Sequence, residues 1–272
     1  MKLGVILGLD RNIEAKMAEI KDMGFETCQL VCWDPSIFND EYVEIVNKAV
    51  ENTGIQISEF WCGYTGPKIW NFIDGPETLG IVPTTYRYQR AEELIKGAEF
   101  AKKLGVTDVV THAGFIPEDP NSPDYAGTKA IVSYIAGALL KNGQNFLFET
   151  GQETPVTLLR LIEDVGTGNL GINLDPANLI LYGKANPVDA LDVFGKYVRG
   201  VHGKDGFYPT DGRHLGKECA MGEGKVDYPK LIAGLKALGY NGSITIEREI
   251  SGDQQKKDIL KAKALLESLI NA

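Results

Sequence analysis

Four polar residues with the chemistry of metal ligands stand at the ends of four short apolar segments of this sequence. Each segment is typical of a buried β-strand and is followed by enough residues for a helix. A carboxylate at the end of a buried strand is costly unless a cation or hydrogen bonds compensate its lost hydration. If the strand ends converge, three carboxylates and one imidazole can hold a divalent cation. The residues are Glu149, Asp175, His202 and Glu247, in segments 145–149, 170–175, 198–202 and 243–247.

This ligand set also indicates a reaction. Oxygen ligands with a single imidazole suit Mn²⁺ best, with Mg²⁺, Co²⁺ or Zn²⁺ as alternatives. Such a cation can polarise adjacent sugar oxygens and stabilise the enediolate formed when the C–H between them loses its proton. Carboxylates on either side of that carbon can remove and return the proton, so we expect Glu149 and Glu247 to be catalytic as well as metal-binding. Taken singly, each of the four residues could instead cap a helix or form an ion pair, but their common register favours the metal site.

The four residues need a fold that brings strand ends together, and the whole sequence alternates strand and helix patterns. The other predicted strands are 2–7, 27–32, 57–62 and 108–113. Helical patterns cover 13–24, 41–54, 88–105, 126–141, 155–164, 187–195, 228–238 and 253–270, and the first three end at Gly24, Gly54 and Gly105. Eight strand–helix units in 272 residues predict one α/β domain, residues 1–272, folded as a (β/α)₈ TIM barrel. A doubly wound open sheet is the alternative, but LGLDRN after the first strand lacks the glycines of a phosphate-binding turn.

Side chains of a strand alternate, which predicts which residues face the barrel interior. The interior sets that contain the four ligands also contain Leu147, Asn173, Gly200, Lys204, Thr245 and Glu249. Their neighbours Phe148, Leu174, Val201 and Ile246 should pack against the outer helices. On the third strand, Glu59 and Trp61 share one face and could both line the pocket.

Composition narrows the classes of partner and compartment. A net charge of −9 and the absence of a basic run argue against nucleic acid or an anionic membrane as partner. No apolar run approaches the ~18 residues of a membrane helix, and the N-terminal segment predicts a first strand rather than a signal peptide. The four cysteines have no CxxC spacing, which favours a reduced, cytoplasmic protein without a cysteine metal site. We expect a small-molecule sugar or polyol as substrate, and a homo-oligomer is possible.

The motifs FLFETGQET, NLDPANL, VHGKDGFYP and SITIERE resemble those of the sugar phosphate isomerase/epimerase superfamily of xylose isomerase-like TIM barrels. That group includes ketose 3-epimerases, inosose dehydratases and hydroxypyruvate isomerases. The resemblance implies that Glu149, Asp175, His202 and Glu247 bind the metal and that the two glutamates form the acid/base pair. Ketose 3-epimerases carry a His where this chain has Asn178 and an Arg shortly after the seventh-strand His, where the next Arg here is Arg213.

The sequence therefore predicts a divalent-metal-dependent isomerase or epimerase of a ketose-like sugar. The alternative is a metal-dependent dehydratase of a keto-inositol (an inosose), in which Lys204 or His112 would protonate the leaving oxygen. An endonuclease IV-like phosphodiesterase would need more histidines than the three present. A non-catalytic sugar-binding barrel subunit is the second alternative, and it predicts no metal dependence.

Five further residues are candidate substrate contacts: His112, Glu153, Lys204, Asp205 and Trp61. Each has a structural alternative, which is a buried hydrogen-bonded His, a helix N-cap at Glu153, an ion pair of Lys204 with Asp205 or Glu249, or an ordinary core Trp. Two long connections, 63–85 and 206–226, follow strands and should lie over the active face, where they would set selectivity.

Overall fold

Eight parallel strands close into a barrel in the structure, a computed structural model that describes residues 1–272. Each barrel strand pairs with its neighbours in the sequence, and the last pairs with the first, which confirms the predicted (β/α)₈ TIM barrel. The strands are β1 (Lys2–Gly8), β2 (Thr27–Cys32), β3 (Gln56–Cys62), β4 (Asp108–Thr111), β5 (Asn145–Glu149), β6 (Leu170–Leu174), β7 (Val198–Gly203), β8 (Asp205–Gly206), β9 (Glu218–Cys219) and β10 (Ser243–Ile246). The two-residue strands β8 and β9 form a small antiparallel hairpin outside the barrel.

Helices cover the outside of the barrel between successive strands. They are α1 (Ile13–Asp22), α2 (Asp40–Thr53), α3 (Gly75–Thr78), α4 (Arg87–Lys103), α5 (Pro123–Lys141), α6 (Pro155–Val165), α7 (Pro176–Leu181), α8 (Pro187–Phe194), α9 (Tyr228–Ala237) and α10 (Asp253–Asn271). The glycine that follows α2, Gly54, has φ of 75° and so adopts the left-handed conformation that ends a helix. No helix combines the length and apolarity needed to cross a membrane.

Short elements were missed in the sequence. The stretch between β6 and β7 predicted one helix at 187–195, whereas the structure has two, because α7 begins directly after Asp175. Asp175 caps α7 by accepting a hydrogen bond from the backbone N–H of Asn178, and Pro176 occupies the first helical position. The six residues PANLIL are too few to show a helical period, so their apolar character alone gave no signal.

The predicted alternation of side chains is confirmed. Phe148, Leu174, Val201 and Ile246 belong to the main core, which lies between the strands and the helices. Inside the barrel the apolar cluster consists only of Trp61, Val110 and Leu147, with Val31 and Trp33 against it. The interior also contains buried polar residues, among them Gln29, Glu59, Asn173 and Thr245, which is unusual for a packed barrel core.

Candidate metal centre and active-site pocket

The structure brings Glu149, Asp175, His202 and Glu247 together at the C-terminal end of the barrel. One ligand atom from each lies within 4.8 Å of the others, so the group could hold a metal ion. The Nδ1 atom of His202 is 3.2 Å from Glu247 Oε2 and 3.5 Å from both Glu149 Oε1 and Asp175 Oδ2. The strands β5, β6, β7 and β10 are consecutive neighbours in the barrel, and this adjacency produces the convergence.

Two atoms of the cluster lack the hydrogen-bond partners that buried polar atoms normally have, and a bound cation would supply a partner for both. Asp175 Oδ2 and His202 Nδ1 are buried and have no hydrogen-bond partner. On the other side of the ring, His202 Nε2 is 2.9 Å from both Gln29 Oε1 and Asn173 Nδ2. A neutral imidazole with its proton on Nε2 would direct the lone pair of Nδ1 at the carboxylates. Buried lone pairs that face one another without a proton between them are costly, and a divalent cation would satisfy them together.

The pKa shifts of the cluster residues also favour a bound cation. Burial lowers the pKa of His202, but Glu149, Asp175 and Glu247 outweigh burial and raise it well above its usual value. Burial raises the pKa of Glu247, but Lys204 and His202 outweigh it and keep this carboxyl ionised. The negative field that would hold an extra proton on the imidazole would equally hold a metal ion.

Glu149 is the most tightly held of the carboxylates. Trp61 Nε1 donates to Glu149 Oε2, and Asn178 Nδ2 donates to Glu149 Oε1 at 2.9 Å. His112 lies beside it, with Nε2 at 3.6 Å from Glu149 Oε1. Asn178 thus helps to orient the carboxylate of Glu149.

Lys204 is 3 % exposed and lies beside the four candidate metal ligands. Its Nζ is 2.6 Å from Glu249 Oε1, 3.2 Å from Glu247 Oε2 and 3.3 Å from Asn178 Oδ1. The predicted alternative of an ion pair with Glu249 is therefore present, and it holds a positive charge at the edge of the pocket. Of the two partners considered in the sequence, Glu249 rather than Asp205 is the one that Lys204 contacts.

Asp205 and Glu153 lie outside the pocket lining. The carboxylate of Asp205 accepts hydrogen bonds from four backbone N–H groups of its own connection, those of Gly206, Gly222, Gly224 and Val226, at 2.8–3.1 Å. Glu153 is 2 % exposed and neither of its carboxyl oxygens has a hydrogen-bond partner. Burial raises the pKa of Glu153 to about 8.

A cavity of about 120 Å³ adjoins the cluster. It is lined by Ile6, Val31, Trp33, Trp61, His112, Glu149, Asn178, Lys204, Glu247 and Glu249. Trp70 from the connection 63–85 packs against one of the lining residues, with its ring 5.2 Å from the ring of His112. A larger depression of about 420 Å³ beside Lys196 and Arg199, at the opposite end of the barrel, contains no comparable cluster.

Sequence reasoning missed Gln29, which contacts the side of His202 that faces away from the carboxylates. The signal was present, because Gln29 is a polar residue on a buried strand and shares a face with Val31. The same reasoning had selected Glu59 on the next strand. What the sequence lacked was the register that places Gln29 beside His202 across the barrel.

Solved structures below 25% identity share the fold. A D-tagatose 3-epimerase-like protein has a TM-score of 0.75 and 22% identity, covering 100% of this chain and 97% of that one. A xylose isomerase-like TIM barrel protein from Mycobacterium smegmatis in complex with magnesium has a TM-score of 0.73 and 16% identity, covering 99% and 97%. A probable 3-DHS dehydratase from Bacillus anthracis has a TM-score of 0.68 and 17% identity, covering 98% and 99%.

Two more similar proteins extend over nearly the whole chain. A xylose isomerase domain protein from Planctomyces limnophilus has 35% identity and a TM-score of 0.92, covering 98% of this chain and 96% of its own. An uncharacterized protein from Methanocaldococcus jannaschii is 27% identical over 279 residues, which is 96% of this chain and 88% of that protein. The family model for the xylose isomerase-like TIM barrel matches residues 17–269. The chain belongs to the xylose isomerase-like TIM barrel family.

Proposed function

We propose that the protein is a divalent-metal-dependent isomerase or epimerase of a ketose-like sugar. The observation that carries this proposal is the convergence of three carboxylates and one imidazole on one point, with two unpartnered buried atoms facing it. Mn²⁺ is the cation we expect, with Mg²⁺, Co²⁺ or Zn²⁺ as alternatives, since oxygen ligands outnumber nitrogen three to one. The likeness to an epimerase-like protein and to a magnesium complex supports the class of reaction and the class of metal.

The residues of the chain divide the chemistry between them. When bound, the cation would supply Lewis-acid polarisation of a substrate carbonyl and the adjacent hydroxyl. Glu149 and Glu247 would remove the proton from the carbon between those oxygens and return it, so that the enediolate is reprotonated on another face or carbon. Glu247 suits proton removal, because its side chain is 20% exposed towards the pocket whereas Glu149 is 4% exposed and held by Trp61 and Asn178.

The pocket walls suit a sugar. Trp33 and Trp61 pack against each other with ring centroids 4.7 Å apart, and both line the cavity, where the C–H groups of a sugar could contact them. Lys204 and His112 would contact its oxygens. A cavity of about 120 Å³ favours a small substrate over a polymer.

A dehydratase of a keto-inositol is the second candidate, and the position of Lys204 favours it. Its ammonium lies 3.2 Å from Glu247, so a base and a proton donor stand side by side in the same pocket. Loss of a β-hydroxyl needs both, because one group removes the carbon-bound proton and the other protonates the leaving oxygen. The likeness to a probable 3-DHS dehydratase is consistent with this chemistry.

Solvent deuterium exchange into a panel of ketoses and inososes tests both candidates. The wild-type protein is assayed with Mn²⁺ and after chelation, beside Glu247→Gln and the control Glu163→Gln, a half-exposed residue of α6. We expect metal-dependent exchange with formation of an epimer or aldose, a loss of about 10²–10⁴-fold in Glu247→Gln, and no change in the control. Exchange with loss of water would replace the isomerase by the dehydratase. Tight metal binding without exchange would overturn the reaction and favour the sugar-binding subunit, and absence of metal binding would overturn the metal centre.

A further inference from the structure

A buried polar network lies inside the barrel, on the side of His202 that faces away from the carboxylates. Gln29 on β2, Glu59 on β3 and Asn173 on β6 are each at most 3% exposed. Gln29 Oε1 is 2.9 Å from His202 Nε2, and Gln29 Nε2 donates to Glu59 Oε2. A side-chain carboxylate, a side-chain amide and an imidazole therefore form a chain that leads to the candidate metal centre.

The orientation of Gln29 depends on Glu59. An amide can present either its oxygen or its NH₂ group to a neighbour, and the two orientations occupy the same space. When it is ionised, the carboxylate of Glu59 can only accept, so it holds the NH₂ end of Gln29 and leaves the oxygen facing His202. That oxygen in turn requires a proton on Nε2.

Asn173 contributes to the same assignment. Its Nδ2 lies 2.9 Å from His202 Nε2, while its Oδ1 is buried without a partner. With the amide turned by 180°, Oδ1 accepts from Nε2–H and the NH₂ group lies on the side of Glu59. The network is then satisfied with the proton on Nε2.

The tautomer matters because three carboxylates face Nδ1. A neutral imidazole can carry its proton on either nitrogen, and these carboxylates would favour Nδ1–H. A proton there would occupy the lone pair that a metal needs. We propose that Gln29 and Glu59 are positioning residues that hold the proton of His202 on Nε2 and thereby keep Nδ1 free for the cation.

The fold makes room for this network at some cost. A Cβ atom at Gly200 would collide with the carboxylate of Glu59 and the amide of Asn173, so the glycine of β7 is what admits Glu59. Burial raises the pKa of Glu59 to about 7, the direction expected for a carboxyl group that has lost its hydration. If the role of Glu59 is purely structural, its side chain stabilises the fold. If Glu59 is a positioning residue, its side chain supports metal binding without stabilising the fold.

The test measures Mn²⁺ affinity by titration calorimetry and thermal stability of the metal-free protein in the same variants. We expect Gln29→Leu and Glu59→Leu to bind Mn²⁺ about 10–100-fold more weakly, with metal-free melting temperatures that are unchanged or higher. Glu59→Gln keeps an acceptor for Gln29 and should stay within about threefold of wild type, because the amide orientation is retained. Thr27→Val is the matched control: Thr27 is also buried in β2 but donates to Leu3 O, so its substitution should leave the affinity unchanged.

Imidazole ¹⁵N spectra of the metal-free protein, recorded at a pH where the imidazole of His202 is neutral, give a second readout. The chain has only three histidines, so the signal of His202 can be assigned by substituting the other two. Wild type should show Nε2–H, and Gln29→Leu a shift towards Nδ1–H. Unchanged affinity and tautomer in Gln29→Leu and Glu59→Leu would overturn the inference, as would a loss of affinity fully explained by lower stability.

This inference rests on the metal centre of the proposed function but not on its reaction. Wild-type protein that binds Mn²⁺ and turns over no sugar would refute the reaction and leave the role of Gln29 and Glu59 to be decided by the affinities. Wild-type protein that binds no divalent cation would overturn both.

Discussion

The two long connections at the C-terminal end of the barrel are each held by one buried ion, and the two ions have opposite charge. The charged side chain that holds 63–85 is Arg90 of α4. Its guanidinium lies between the rings of Tyr64 and Tyr86, 4.2 and 4.5 Å from the ring centroids. It donates to the backbone carbonyls of Thr65, Pro67, Thr78 and Gly80 at 2.6–3.3 Å. In 206–226 the ion is Asp205, which accepts from four backbone N–H groups.

The difference between the two connections lies in where the ion comes from. Arg90 belongs to a neighbouring helix, so it fastens 63–85 to the body of the barrel from outside. Asp205 directly precedes the connection that it organises. Neither connection contributes a residue to the cavity lining, but each contacts it. The ring of Trp70 in 63–85 packs against His112, and Glu218 in 206–226 accepts from the backbone N–H of Glu249.

Among the substitutions that compare the two connections, Asp205→Asn should have the largest effect on stability. The substitution replaces one carboxylate oxygen by an NH₂ group that faces backbone N–H donors, and it removes the charge that all four donors share. We expect a loss of about 3–5 kcal/mol in the free energy of unfolding, measured by urea denaturation. Mn²⁺ affinity should fall too, because Asp205 follows directly on Lys204 and the end of β7.

The control for this change is Asp211→Asn in the same connection. Asp211 is exposed and hydrogen-bonds only to Arg213 and His214, so no measurable shift of the denaturation midpoint is expected. Equal stability of Asp205→Asn and wild type would show that the four N–H groups find other acceptors.

Arg90→Met should have the next largest effect. The substitution leaves four backbone carbonyls of 63–85 without their donor, so the free energy of unfolding should fall by about 2–3 kcal/mol. It should also raise the KM for the sugar and leave the Mn²⁺ affinity unchanged. Arg90→Lys should recover only part of the stability, because an ammonium cannot reproduce the planar fork of a guanidinium. Arg11→Met, which removes an exposed pair with Glu41, is the control. A fall in metal affinity in Arg90→Met would mean that 63–85 supports the metal cluster directly.

The sequence predicts the barrel and the converging strand ends well, because both depend on local patterns. Period-two alternation is visible in five residues, and it correctly gave the inward faces of Leu147 and Trp61 and the outward faces of Phe148 and Val201. The metal-binding and catalytic roles of the four converging residues stay predictions. Arg90 and Asp205 could not be recognised as anchors, because their partners are backbone groups whose directions depend on the folded connections. Asp205 was accordingly taken for a substrate contact, a role for which its carboxylate has no free oxygen.

Glu153 is a third buried ionisable group at this end of the barrel, and unlike Arg90 and Asp205 it has no hydrogen-bond partner. Burial raises its pKa to about 8 from an ordinary 4.5, so between those values the folded state keeps a proton that the unfolded state has lost. Stability is therefore expected to fall as the pH rises from 5 to 8, by at most about 1.4 kcal/mol per pH unit.

Glu153→Gln should remove this pH dependence of stability. The result would distinguish Glu153, which has no hydrogen-bond partner, from Arg90 and Asp205, which have several. We expect the variant to match wild type at pH 5 and to be more stable by about 2 kcal/mol at pH 8, where wild type must ionise Glu153 or open locally to water. Thermal melts at the two pH values measure the difference, with Glu163→Gln as the exposed control. Parallel pH profiles for Glu153→Gln and wild type would mean that the carboxyl finds a partner in solution. A large rise in KM would favour the predicted substrate contact.

The smallest expected effect is that of His214→Ala. His214 lies in 206–226 with 77% of its side chain exposed, and its imidazole contacts only Asp211. Because His214 contacts no residue of the cavity lining, we expect no change in melting temperature, Mn²⁺ affinity or KM. Trp70→Leu in 63–85 is its counterpart: Trp70 is 40% exposed, so stability should change little, but loss of the ring beside His112 should raise KM several-fold. If His214→Ala raised KM as much as Trp70→Leu, 206–226 would close over the substrate during turnover.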